Sequence, residues 1–178
     1  MVATSQEQDL LANRPESLGR LFFDRVRATP DRDAYSFPAA EGAEWPTVTW
    51  AQTGERVTRI AAGLVALGIE PEERVAIAAT TSYEWILADL AIMSCGAATT
   101  TVYPSSLAPD VAFIIGDSES RVVFAEDDAQ VAKLREHRAE LPALRTVVTF
   151  PGAGAGSGPG AGAGDGDDDW VITLDDLQ

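Results

Sequence analysis

Residues 49–106 read TWAQTGERVTRIAAGLVALGIEPEERVAIAATTSYEWILADLAIMSCGAATTTVYPSS, and the alternation of helical and extended patterns along this stretch decides the fold. Thr49 followed three positions later by Gln52 has the form of a capping box, in which a hydroxyl and an amide satisfy backbone groups left open at a helix start. Apolar residues then recur at helical spacing until Gly68, which tolerates the left-handed conformation that ends a helix. The pattern predicts a helix over residues 51–67.

The second half of the stretch predicts a strand, a buried helix and another strand. Residues 75–79 form an apolar run too short for a helix, whereas residues 83–95 are apolar around almost the whole helical cylinder. Residues 97–102 are rich in β-branched side chains and are followed by Pro104, which has no backbone N–H to donate. Two strands joined by one buried helix form a βαβ unit, which is parallel and right-handed in nearly all known cases.

The same alternation continues on both sides of the stretch. Toward the C-terminus the pattern predicts a helix from Pro109 to about Ser118, a strand over 121–125, a surface helix over 127–140 and a strand over 146–150. Toward the N-terminus it predicts a helix over 18–28 and a hairpin with strands at 34–37 and 47–49 and its turn at 41–42. Alternating strands and helices indicate an α/β fold, in which βαβ units form a largely parallel sheet covered by helices.

Composition and charge exclude several classes of protein. The chain has 178 residues, 46% of them hydrophobic, and a formal net charge of -15. Such an acidic balance argues against nucleic-acid binding, because phosphate contacts need a basic surface. No apolar run is long enough to cross a bilayer, and residues 1–10 lack the basic and apolar regions of a signal peptide. The single cysteine, Cys95, cannot form an internal disulfide, and together these features predict a cytoplasmic protein.

Residues 151–169 read PGAGAGSGPGAGAGDGDDD and interrupt the α/β pattern. Eight of the fifteen glycines of the chain fall in this segment, which cannot bury a core and is predicted to be a mobile insert. The predicted division is a flexible N-terminus at 1–16, an α/β part at 17–150, the insert at 151–169 and the start of a further element at 170–178. A short edge strand at 170–173 and one helical turn end the chain, so we expect a fragment of a longer protein.

A series of short motifs occurs in order along the chain. Within the opening stretch these are Gly63-Leu64, Leu67-Gly68-Ile69, Arg74-Val75-Ala76-Ile77, Glu84-Trp85, Ala88-Asp89-Leu90-Ala91, Gly96-Ala97 and Tyr103-Pro104-Ser105. After it come Phe113-Ile114-Ile115, Asp117-Ser118-Glu119-Ser120, Val123-Phe124-Ala125-Glu126 and Trp170-Val171-Ile172-Thr173-Leu174-Asp175-Asp176-Leu177. Together they resemble the N-terminal subdomain of the acyl-adenylate-forming (AMP-binding) enzymes, and among these the long-chain fatty-acyl-CoA synthetases (long-chain fatty acid–CoA ligases). The resemblance covers residues 17–150 and resumes at 170, and the insert departs from the family pattern.

The resemblance implies a two-step ligase that uses ATP, Mg2+ and coenzyme A. A fatty acid and ATP give an acyl-adenylate and pyrophosphate, and the coenzyme A thiolate then displaces AMP to form acyl-CoA. The family's phosphate-binding loop, its adenine- and ribose-binding motifs and its catalytic lysine have no match in this chain, in which Lys133 is the only lysine. Because adenylation needs cations and backbone donors around the phosphates, we assign no catalytic, cofactor-binding or metal-binding residue here and expect the chain alone to be inactive. The parent enzyme could form a homodimer.

Three alternatives to this ligase remain open on the sequence. The chain could be a noncatalytic α/β interaction module that pairs through an exposed sheet edge, or the adenylating part of a larger enzyme such as a carboxylic acid reductase. A dinucleotide-binding oxidoreductase domain also fits the βαβ pattern, but no Gly-x-Gly-x-x-Gly motif follows any predicted strand.

Several residues that suggest chemistry have a simpler structural interpretation. Cys95 lies near the end of a buried helix without a predicted His or Asn partner, which favours a small core residue over a nucleophile. His137 is flanked by charged residues and is predicted to be solvated. The aspartates at 165 and 167–169 lack the ordered spacing of a calcium loop and are interpreted as a solvated acidic tract.

Polar and aromatic residues beside the predicted strands are likewise interpreted as structural. Thr80-Thr81-Ser82 follows a strand and opens a helix, where anions often bind, but without phosphate-loop glycines the favoured role is helix capping. Trp85, after Glu84, is predicted to be a core anchor, and Tyr103-Pro104-Ser105 is predicted to set the turn that leaves its strand.

Deleting residues 152–166 tests the interpretation of the insert. Because a glycine- and alanine-rich segment contributes no core, we expect the melting temperature of the deletion variant, measured by circular dichroism, to stay close to that of the parent chain. A fall of many degrees would show that the insert contains an ordered element.

Overall fold

The computed structural model describes residue 4 and residues 12–37, 45–151 and 169–178. The turn predicted at 41–42 and nearly all of the predicted insert lie outside these residues. The helices are α1 (Leu18–Ala28), α2 (Trp50–Ala66), α3 (Tyr83–Ser94), α4 (Ala108–Asp117), α5 (Asp128–Glu136) and α6 (Leu174–Leu177), with a 3-10 turn at Arg138–Glu140. The strands are β1 (Asp33–Ser36), β2 (Thr47–Thr49), β3 (Arg74–Ala78), β4 (Ala98–Val102), β5 (Val122–Ala125), β6 (Thr146–Thr149) and β7 (Val171–Thr173).

Five strands form one parallel sheet in the order β4-β3-β5-β6-β7. The two remaining strands, β1 and β2, pair antiparallel as a separate hairpin. The fold is therefore α/β with a parallel sheet, as the alternation of patterns predicts. No helix in the described ranges is long and apolar enough to cross a membrane.

Helices cover both faces of the sheet, and each face has its own core. Helices α1, α2, α3 and α6 pack on the face to which Val75 and Ile77 of β3 point, with Leu64 and Leu87 fully buried there. Helices α4 and α5 pack on the opposite face, around Leu134. Because both faces are covered, strands β3 and β5 are apolar throughout rather than alternating, which is typical of parallel sheets.

Helix α2 begins and ends as the sequence predicts. The Gln52 side chain accepts a hydrogen bond from the Thr49 N–H at 2.8 Å, and the Thr49 hydroxyl accepts one from the Gln52 N–H at 3.2 Å, which completes the capping box. After the helix, Gly68 has a φ of +81°, a conformation that a residue with a side chain rarely adopts. These local signals place α2 within one residue of the prediction.

Most other predicted elements are also confirmed within one or two residues, but the helix predicted at 127–140 is shorter. Helix α5 ends at Glu136, and the chain continues as a 3-10 turn at Arg138–Glu140. His137, between the two, leaves the helical conformation with φ -112° and ψ 19°. The sequence contains no glycine or proline at this point, so its pattern gave no stop signal.

Residues 170–178 belong to the same sheet and core as the preceding α/β part. Strand β7 pairs with β6 at the sheet edge, and α6 packs on α2 with Leu174 and Leu177 buried. The contact is close because Gly63 has no side chain: a Cβ there would lie 2.1 Å from the Leu177 carbonyl oxygen.

Substituting Gly63 tests the docking of α6. We expect Gly63→Ala to destabilise the chain by about 1–3 kcal/mol, measured by urea unfolding, because the added methyl group displaces Leu177. In a control chain that lacks residues 174–178 the same substitution should instead stabilise by about 0.5–1 kcal/mol, because alanine favours helix over glycine. A change in the free energy of unfolding with the same sign in both chains would contradict the packing of α6 on Gly63.

Candidate functional site

The carboxyl ends of β3 and β5 form the switch point of this sheet. The chain leaves β3 toward α3 on one face and leaves β5 toward α5 on the other face, and the two strands are neighbours. In open α/β sheets the crevice beside such a reversal is the usual place for a ligand. The residues that follow these strands are therefore the first candidates for a functional site.

A carboxylate of the protein occupies the switch point. Glu126, directly after β5, accepts hydrogen bonds from the Thr80 N–H at 2.8 Å and from the Thr80 hydroxyl at 2.7 Å and 2.8 Å. Thr80 directly follows the apolar run that contains β3, so this contact joins the two loops of the switch point. The backbone donor that an external anion could use is thus engaged within the chain.

Ser82 and Thr81 have different roles at the start of α3. The Ser82 hydroxyl accepts a hydrogen bond from the Trp85 N–H at 3.1 Å, which confirms helix capping for this residue. Thr81 lines a cavity of about 220 Å³ beside the carboxyl ends of β3 and β4, together with Trp85 and Tyr103. Trp85 is half-buried and packs against the core as well as lining this cavity, so the prediction of a core anchor describes only part of its environment.

Lys133 fixes the loop after β4. Its ammonium group donates hydrogen bonds to the carbonyl oxygens of Pro104 at 2.6 Å and Ser106 at 2.9 Å, and to the Gln130 side chain at 3.0 Å. The Ser106 N–H in turn bonds to the Tyr103 carbonyl at 3.0 Å, so the predicted turn at Tyr103-Pro104-Ser105 is confirmed. Three oxygen partners match the three donors of the ammonium group, and Lys133 is used to hold the backbone in place.

The described part of the switch point provides little for binding phosphate or a divalent metal. The residues that directly follow β3, β4, β5 and β6, at 79–82, 103–106, 126–127 and 150–151, contain no lysine or arginine. Over the described residues, no group of three or more His, Cys, Asp and Glu side chains comes close enough to hold a metal ion. Both oxygens of Glu126 are engaged by Thr80. These residues do not fit the Mg2+ that the family resemblance implies.

Cys95 is a packing residue, as predicted. Its thiol donates a hydrogen bond to the Ala61 carbonyl at 3.4 Å and lies against the core between α3 and α2. Partial burial raises the pKa of the Cys95 thiol, which lowers the fraction of the reactive thiolate. This environment is the opposite of the one that activates a nucleophilic cysteine.

The side chain of His137 is more buried than the sequence predicts. Its side chain is only 17% exposed, and its Nδ1 lies 2.8 Å from a carboxylate oxygen of Glu140. Glu140 lies in the 3-10 turn that follows α5, three residues after His137, and its carboxylate reaches the imidazole ring. The buried Nε2 atom has no hydrogen-bond partner within the described residues. The prediction of an exposed, solvated side chain at this position is wrong.

Comparison with known families identifies the chain as a member of the AMP-binding enzyme family, which it matches over residues 22–171. Among curated relatives it is 36% identical over 138 residues to the long-chain-fatty-acid–CoA ligase FadD15 of Mycobacterium tuberculosis. It is 31% identical over 140 residues to the long-chain-fatty-acid–CoA ligase heimdall of Drosophila melanogaster. Each alignment covers 78% of this chain, but only 23% and 21% of the respective relative.

Solved structures agree on the fold. The anthranilate CoA ligase AuaEII superposes with a TM-score of 0.74 at 17% identity, covering 93% of this chain and 29% of that protein. The acetoacetyl-CoA synthetase of Streptomyces lividans superposes with a TM-score of 0.71 at 25% identity, covering 90% of this chain and 24% of that protein. The chain thus has the fold of one part of the adenylate-forming CoA ligases and spans about a quarter of their length.

Removing the Lys133 ammonium group tests its role in the loop. We expect Lys133→Met to lower the free energy of unfolding by about 1–3 kcal/mol, because the partly buried carbonyls of Pro104 and Ser106 lose their charged donor. Amide hydrogen exchange at residues 105–107 should accelerate in the same variant, and mass spectrometry would measure both effects in one series.

Arg59→Met is the matched control for Lys133→Met. Arg59 forms an exposed ion pair with Glu55 at 3.7 Å, so its loss should change stability by no more than about 0.5 kcal/mol. Equal effects of the two substitutions on stability, or unchanged amide exchange at 105–107 in Lys133→Met, would contradict the role of Lys133 in holding the loop after β4.

Proposed function

We propose that the chain supplies the N-terminal α/β part of an ATP-dependent, AMP-forming ligase for long-chain fatty acids. The observation that carries the proposal is the match to the AMP-binding enzyme family over most of the chain, combined with relatives at 36% and 31% identity that are long-chain-fatty-acid–CoA ligases. The proposed reaction joins a fatty acid to the α-phosphate of ATP with release of pyrophosphate. Coenzyme A then displaces AMP to give the acyl-CoA thioester.

The proposed contribution of this chain to the reaction is structural. Transferring an adenylyl group requires cations and preorganised donors where phosphate charge develops. In the described residues the one lysine is bound to backbone carbonyls, and the Thr80 N–H at the switch point is bound to Glu126. We therefore propose that ATP, Mg2+, coenzyme A and the fatty acid that reacts are bound for catalysis by other parts of the complete enzyme, and that no residue of this chain is catalytic.

A second candidate is the adenylating part of a larger, multifunctional enzyme. The chain is 32% identical over 151 residues to the phosphinothricin tripeptide synthetase PhsB of Streptomyces viridochromogenes, of which it covers 12%. The fatty-acid ligase remains the first choice because the identity to FadD15, 36% over 138 residues, is higher than the identity to PhsB. A cytoplasmic location and a homodimer of the complete enzyme also stay proposals.

A chimera tests the proposed function. The 138-residue matching segment of the mycobacterial ligase is replaced by the aligned residues of this chain, and acyl-CoA formation from palmitate, ATP and coenzyme A is measured by mass spectrometry. Because the parallel sheet and both cores are present in this chain, we expect the chimera to fold and to form palmitoyl-CoA.

Three controls define the outcome. The ligase with its matching segment deleted and the 178-residue chain alone should form no acyl-CoA, and circular dichroism should show that the chimera is folded. A folded chimera with no activity above the deletion control would overturn the proposal.

A further inference from the structure

A groove between α1 and α3 lies on the outer side of the helical layer and has a volume of about 360 Å³. Its floor is Phe22, which is 5% exposed, and its rim includes Leu18 and Leu21, which are 61% and 50% exposed. The helices approach closely at Gly19, where an added Cβ would lie 2.9 Å from the Ser94 Cα atom. This size is within the range of small-molecule sites.

The groove has an apolar end and a polar end. Leu18, Leu21, Phe22 and Arg25 occupy one face of α1, and their spacing of seven residues corresponds to about 10 Å along the helix. The Leu18 end meets Met93 of α3, since Gly19 contacts the backbone there.

The opposite end of the groove carries the guanidinium group of Arg25. The Arg25 guanidinium lies over the Trp50 ring, 5.8 Å from the ring centroid. The Tyr35 ring also packs on Trp50, with 5.9 Å between the two ring centroids. Within the described ranges Arg25 forms no ion pair, whereas its neighbours Arg20 and Arg27 both pair with Asp24. Stacking uses the face of a guanidinium and leaves its N–H edge available to a carboxylate.

We propose that this groove binds a single-chain carboxylic acid, with the carboxylate on Arg25 and the hydrocarbon chain directed toward Leu18 and Met93. A cation at one end and apolar side chains along the remainder complement a molecule with one charged end and an unbranched apolar tail. The binding requires neither ATP nor coenzyme A, and it does not depend on the proposed ligase reaction.

Two other occupants fit the groove less well. A peptide carries N–H and C=O groups along its whole length, and among the described residues the lining at the Leu18 end offers no side chain that could satisfy them. A lipid bilayer is bound by apolar side chains that project from a surface, whereas the floor at Phe22 lies between two helices. A monomeric single-chain acid matches both the shape of the groove and the charge of Arg25.

Titration of the 178-residue chain with decanoate, kept below its micelle concentration, tests the proposal. Calorimetry measures affinity, and amide chemical shifts locate the site. We expect saturable binding with shifts concentrated at residues 18–25 and 90–93. Decyltrimethylammonium, with the same tail and the opposite charge, should bind at least about tenfold more weakly, because it cannot bond to the guanidinium.

Matched variants separate the head and tail contacts. Arg25→Gln should weaken decanoate binding about tenfold or more, whereas Arg27→Gln, at an arginine already paired with Asp24, should change it less than about twofold. Leu21→Glu should abolish binding, while Val65→Glu, at a similarly exposed position on α2, should not.

The proposal is overturned if Arg25→Gln binds decanoate as the parent chain does, or if the chemical shifts change outside the groove. Binding to anionic phospholipid vesicles without binding to monomeric decanoate would also overturn it, and would identify a membrane surface instead.

Discussion

The rest of the structure depends on the parallel pairing of β3 with β5, at a position where both faces of the sheet are covered and shielded from water. Val75, Ala76 and Ile77 of β3 and Val123 and Phe124 of β5 are fully buried. Backbone groups in such strands must bond to each other, because neither water nor side chains are available to them. Helices on both faces are then required, and right-handed crossovers place α3 on one face and α4 on the other.

This arrangement fixes the positions of the loops at the strand ends, but it leaves them few charged groups that are available to a ligand. The switch point between β3 and β5 is closed by Glu126 on Thr80, and the neighbouring loop is held by Lys133. At the other end of the strands Arg121 pairs with Glu73 at 2.7 Å, and Arg74 donates to the Ser118 carbonyl at 2.9 Å. Charged groups that could act on a substrate are used here to join loops that are distant in sequence.

The sequence predicts the fold well because its signals are local. The capping box at Thr49, the glycine stop at Gly68 and the apolar run of β3 each act within a few residues, and each has its expected structure. The contacts that define the candidate site are not local: Thr80 and Glu126 are 46 residues apart, and Lys133 and Pro104 are 29 apart. No pattern within a helix or a strand indicates such pairs. His137 was mispredicted for a related reason, because a helix end without glycine or proline gives no warning in the sequence.

Charged side chains that bond to the backbone of neighbouring loops separate structure from catalysis in this scaffold. A lysine that donates to two backbone carbonyls and one amide oxygen has no donor left for a phosphate. Releasing it for catalysis would remove the charged donor from all three oxygens, of which the Pro104 carbonyl would keep the Gln130 side-chain N–H at 3.3 Å. The same holds for Glu126, whose removal would free a backbone N–H at the switch point and break the link between two loops. Arg25 can change partners at lower cost, because among the described residues its guanidinium stacks on Trp50 and forms no ion pair. In this chain, new binding can therefore arise at the outer helices without disturbing the sheet, whereas the loops at the strand ends must keep their present contacts for the sheet to remain in place.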